Sequence, residues 1–112
     1  MQIDVRNVYD VLVVDMAGRL DSQTSGVAGD RMTEIVQSDS RKIVLNLQDL
    51  EYVSSAGLRI ILRASKLLQG LGGELRICNA TGLVRQVLDS AGFSSLLMTY
   101  DTEKDAVSSF ST

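Results

Sequence analysis

Residues 41–47 read "RKIVLNL", a short apolar run without polar alternation. Such a run fits a strand buried on both faces, which needs apolar cover on each side. The flanking sequence offers that cover. Residues 2–7, "QIDVRN", alternate polar and apolar, as a half-buried strand does. "VLVVDMA" at 11–17 is rich in β-branched residues and reads as a second strand ending at Gly18. Only Val8, Tyr9 and Asp10 separate these two, which predicts an antiparallel hairpin. A helix over about 22–37 follows, with Asp21 as its N-cap and Ala28, Met32, Ile35 and Val36 as its apolar stripe. Gly26 and Gly29 oppose that helix, each by about 1 kcal/mol against alanine.

After the central strand, "QDLEYV" reads as a loop and leads into a second helix. There Arg59, Arg63 and Lys66 stand at i, i+4 and i+7 along one polar face. Leu58, Ile61, Leu62 and Leu68 lie on the buried side, widened by Ile60, Ala64 and Leu67. Gly70, Gly72 and Gly73 stop this helix. "ELRICN" at 74–79 is a strand. A helix over 81–92 turns Leu83, Val84, Val87 and Leu88 inward. "SLLMTY" forms the last strand, and Asp101 caps a final helix that buries Ala106, Val107 and Phe110. The order β-β-α-β-α-β-α-β-α, with about four helices, predicts an α/β fold. Right-handed parallel crossovers and the N-terminal hairpin make its β-sheet mixed. Sites in such folds lie beyond the carboxyl ends of the parallel strands, where Ser54 and Ser55 fall.

The chain is 112 residues long, with no proline and no linker, and reads as one domain over 1–112. Its net charge of −3 disfavours binding to nucleic acid, which wants a basic face. It has no histidine and a single cysteine, Cys78, which excludes histidine catalysis, an internal disulfide and a thiolate zinc cluster. No metal site, cofactor or enzymatic activity is expected. Cys78 lies in the apolar run "LRIC" and reads as a small core residue. The first ten residues carry charges and no apolar h-region, and no run approaches a membrane span, so a cytoplasmic protein without membrane insertion is expected.

The chemistry concentrates in "VSSAGL" at 53–58. Two serines meet a helix start, where backbone amides lack partners and the helix dipole is positive. One reading is that both hydroxyls are caps. The other is that one is phosphorylated, since a helix start accepts anions and the modification adds roughly −1.5 to −2 charges without unfolding its host. Gly57, lacking a Cβ, admits close approach by another backbone or a phosphate. The Arg59/Arg63/Lys66 face reads either as a solvated face or as an electrostatic guide for an acidic partner.

"LNLQDLEYVSSAGLRIILRASK", preceded by "GRLDSQTS", resembles the STAS domain family, and within it the bacterial anti-sigma factor antagonists. The resemblance spans essentially the whole chain and implies a single STAS domain. It places the family's phospho-acceptor on Ser55, with Ser54 as the alternative. Several members carry aspartate where Ser54 stands. Asp21 matches the family's Leu-Asp motif near the phosphosite. The implied partner surface comprises Asp21, Ser22, Ser54, Ser55, Ala56, Gly57, Arg59 and Arg63.

What the resemblance implies is partner switching by a protein that is monomeric when free. The unphosphorylated form binds an anti-sigma factor that is itself a GHKL-type serine kinase and releases the sigma factor. Phosphorylation at Ser55 ends that binding, and a PP2C-type phosphatase restores it. Two other roles within the family are a cytoplasmic subunit of a phospholipid transporter and a small-ligand-sensing module. A response-regulator receiver does not fit, because the first two strands form a hairpin and "ELRICN" carries no lysine.

Overall fold

A computed structural model describes residues 1–111. Its sheet runs β1 (Gln2–Val8), β2 (Val11–Leu20), β3 (Lys42–Val53), β4 (Glu74–Cys78) and β5 (Thr99–Tyr100), in that spatial order. β1 pairs antiparallel with β2, and the remaining pairs are parallel. The expected hairpin and mixed sheet are therefore present. The helices are α1 (Ser25–Val36), α2 (Ser55–Gly70), α3 (Gly82–Ser90) and α4 (Glu103–Ser108), so the element order is the expected one.

The first half of β3, residues 43–47, is buried on both faces. Ile43, Leu45 and Leu47 point into the larger core under α1, α2 and α3, with Met32, Ile61, Leu68, Val84 and Leu88. Val44 points the other way, into a small core with Val11, Val13, Cys78, Ala106 and Val107. The sheet is thus covered heavily on one side and by the short α4 on the other. Polar bonds hold α4 in place. Arg6 binds Asp15 at 2.7 and 3.0 Å and also reaches Glu103 on α4. Asn46 Nδ2 donates to Asp15 at 2.8 Å. Cys78 is buried, as its apolar run implied, and burial pushes its thiol up to about 12.

Several boundaries differ from the sequence reading. "QDLEYV" is no loop but the second half of β3, and β2 runs past Gly18 to Leu20 to pair with it. Register shifts after Asp15 and after Gly18 break the period-two pattern, so the polar residues Gln48, Asp49 and Glu51 mask a strand that still buries Leu50 and Val53. α1 begins three residues later than expected, at Ser25, because Asp21 caps a preceding turn instead. The last strand shrinks to Thr99–Tyr100, after a 3-10 turn at Phe93–Ser95. Leu83, expected inward, is half exposed. Thr102, not Asp101, caps α4, accepting from the Asp105 N–H at 3.1 Å. On α2 the buried set is Gly57, Ile61, Ala64, Ser65 and Leu68, while Leu58 and Leu62 are only partly covered and Leu67 is exposed. Among the described residues, no helix is long and apolar enough to cross a membrane.

Candidate functional site

Two segments meet at the carboxyl edge of the sheet: the turn after β2 and the start of α2. The Ser54 N–H donates to the Leu20 carbonyl at 2.9 Å, which ties the two together. Gly57 makes that approach possible. A Cβ there would stand 2.7 Å from both the Leu20 carbonyl oxygen and its Cγ, and 2.9 Å from Val53 Cγ2. The close backbone approach expected at this glycine is therefore made by Leu20, and Gly57 itself is buried.

The two serines have different surroundings. Ser54 is extended (φ −98°, ψ 176°), and its Oγ accepts from the Gly57 N–H at 3.3 Å. Its carbonyl accepts from the Leu58 N–H at 2.9 Å. It is the N-cap of α2. Ser55 is the first helical residue and is exposed. Its hydroxyl has no hydrogen-bond partner among the described residues, and the N–H groups of Ser55 and Ala56 have no acceptor there. No acidic side chain occupies the first turn. An exposed hydroxyl therefore stands beside unpaired amides at the positive end of a 16-residue helix.

Asp21, across the edge, is fully engaged. Its Oδ1 accepts from the Gln23 and Thr24 N–H groups at 3.0 and 3.2 Å, and Arg19 Nε lies 3.6 Å from Oδ2. The Thr24 hydroxyl donates to the Arg19 carbonyl at 2.8 Å and closes the turn. Partial desolvation raises the Asp21 carboxyl, but the turn amides and Arg19 outweigh it and hold it below the usual carboxylate range. Arg19 in turn stacks over the Tyr52 ring at 4.4 Å. Ser22 is exposed at the tip of this turn.

Arg59 and Arg63 both lie exposed along α2, with Ala56 partly exposed before them. Together with Lys66, Ile60, Leu62 and Leu67 they border a shallow groove of about 710 Å³ along α2, with Ser25 at the start of α1 on its rim. Gly29 of α1 faces Ile60, and a Cβ on it would come within 2.9 Å of Ile60 Cδ1. That glycine, an obstacle to the helix in isolation, lets the two helices close up. Sequence reasoning placed Ile60 and Leu67 on the buried side and did not assign Lys66 to the partner surface. The i, i+4, i+7 spacing of Arg59, Arg63 and Lys66 was the signal available for Lys66.

Residues 2–106 match the STAS domain model, and the chain belongs to that family. It is 34% identical to the anti-sigma F factor antagonist of Paenibacillus polymyxa over 108 residues, covering 96% of this chain and 92% of that one. An anti-sigma factor antagonist from Mycobacterium paratuberculosis shares the fold with a TM-score of 0.88 at 21% identity, covering 96% of this chain and 92% of that one. The Bacillus cell fate determinant SpoIIAA in its phosphorylated form shares it with a TM-score of 0.72 at 19% identity, over 97% and 99% of the two chains.

Proposed function

We propose that this chain is an anti-sigma factor antagonist, a non-enzymatic cytoplasmic STAS domain switched by phosphorylation of Ser55. In this reading the unphosphorylated protein, a monomer when free, binds an anti-sigma factor that is a GHKL-type serine kinase, and the sigma factor is released. The kinase then phosphorylates Ser55 and the complex dissociates, and a PP2C-type phosphatase resets the protein. The observation that carries the reading is the division of labour between the two serines. Ser54 is committed to capping, whereas Ser55 presents a free hydroxyl to solvent. Ser54 therefore supports the helix while Ser55 remains available as acceptor.

The relatives support the reading. One at 34% identity is an anti-sigma F factor antagonist, and a protein of the same fold is known in a phosphorylated form. Physically, a phosphate at position 55 adds roughly −1.5 to −2 charges at the docking edge. A penalty of about 3 kcal/mol lowers affinity roughly a hundredfold, and one desolvated, poorly paired charge supplies that much. The partner surface comprises Asp21, Ser22, Ser54, Ser55, Ala56, Arg59 and Arg63 around the buried Gly57.

The test incubates the purified protein with a candidate GHKL-type anti-sigma factor kinase and ATP. Ser55→Ala should remain bound after ATP is added, and Ser55→Asp should fail to bind. Release of Ser55→Ala at the wild-type rate would rule the switch out.

A further inference from the structure

The cations of this chain fall into two groups. Arg6, Arg19, Arg31, Lys42, Arg76 and Arg85 each reach a carboxylate. Arg41, Arg59, Arg63, Lys66 and Lys104 reach none among the described residues, and of these Arg59 stands one helical turn after the exposed Ser55. It lies four residues after Ser55, and residues at that spacing are neighbours on one helix face. Helical side chains lean toward the N-terminus, so a residue covers the turn before its own Cα. The Arg59 side chain therefore leans toward Ser55. Asp21, across the edge, is already held by two amides and by Arg19. Arg63 starts a further turn away, about 12 Å along the axis from position 55, too far to serve instead.

We propose that Arg59 is the internal counter-ion of phosphorylated Ser55, so that modification withdraws Arg59 from the partner groove while adding negative charge beside it. The inference rests on Ser55 being the acceptor. A guanidinium fork matches a phosphate with two parallel N–H···O bonds, which a lone ammonium does not. Arg59 borders the groove along α2 together with Arg63 and Lys66. Capturing it leaves the far end of the groove cationic and turns the end next to the modification net negative, since one guanidinium offsets only part of a charge of roughly −1.5 to −2. An acidic partner thus loses its attraction at the point where it also meets the phosphate. The switch acts twice through one bond, and the fold beneath does not change.

The pairing is measurable without any partner. Phosphoserine is placed at position 55 during translation, and its second ionisation is followed by phosphorus NMR in wild type, Arg59→Gln, Arg59→Lys and Arg63→Gln. In wild type the midpoint should lie about half a pH unit or more below that of Arg59→Gln, because a nearby cation favours the dianion. Arg59→Lys should fall between the two, and Arg63→Gln should match wild type. The gap should shrink in roughly 1 M salt, where the screening length is about 3 Å. Equal midpoints in wild type and Arg59→Gln would overturn the proposal, as would an equal shift in Arg63→Gln. No kinase is involved, so this result is separate from the fate of the switch itself. If Ser55 is never phosphorylated by the partner, the titration gap still appears and only the functional reading falls.

Discussion

The two segments that meet at the carboxyl edge of the sheet are built on opposite principles. The turn after β2 is self-contained: the Asp21 carboxylate, the Thr24 hydroxyl and the Arg19 guanidinium satisfy one another and the local amides. The start of α2 is satisfied only in part, with Ser54 capping one amide and Ser55 capping none. The first segment is a scaffold that fixes the position of the second through Leu20. The second keeps a hydroxyl and two amides open to a ligand or a modification. Adjacent residues of the same type can therefore belong to different categories, and bonding partners decide which.

The sharpest way to break this comparison is at the contact between the segments. Gly57→Val forces a side chain into the Leu20 backbone, and neither wall is the free end of a flexible chain. The expected loss is about 3 kcal/mol or more by urea unfolding. A near-neutral result would mean that the edge relaxes freely and that Leu20 does not position the site. A smaller effect separates the serines themselves. Ser54→Ala should cost about 1 kcal/mol, the usual value for a lost N-cap. Ser55→Ala should stay within about 0.5 kcal/mol, as for an exposed residue with no partner. Equal losses would remove the distinction.

The acid limb sharpens the turn. The folded Asp21 carboxyl lies below its ordinary value, so its contribution is fully present above the unfolded value near 4. It should disappear as the pH falls through the depressed folded value. In urea unfolding between about pH 6 and 2, the gap between wild type and Asp21→Ala should therefore close only at the acid end. A gap that stays constant over that range would show that the carboxylate charge plays no part in the turn.

Much of the fold was legible because burial writes a period. "RKIVLNL" announced a two-faced strand, and Val44 does point away from Ile43 and Leu45. The alternation of strands and helices gave the mixed sheet and the edge on which Ser54 and Ser55 stand. Legibility failed where tertiary contacts override local pattern. "QDLEYV" looks like a polar loop, yet the register shifts against β2 carry it as strand. Asp21 looks like a helix cap, yet the chain inserts a turn before α1. The bond of Arg6 to Glu103 joins positions far apart in sequence, and no local signal marks it. The split between Ser54 and Ser55 was also invisible, because "SS" before a helix does not say which hydroxyl faces the amide.

That split is tested most directly by mapping the phosphate after incubation of the wild-type protein, Ser54→Ala and Ser55→Ala with the anti-sigma kinase and ATP. Peptide mass spectrometry should find phosphate at position 55 in wild type and in Ser54→Ala, and none in Ser55→Ala. Phosphate on Ser54, or undiminished incorporation into Ser55→Ala, would contradict the account.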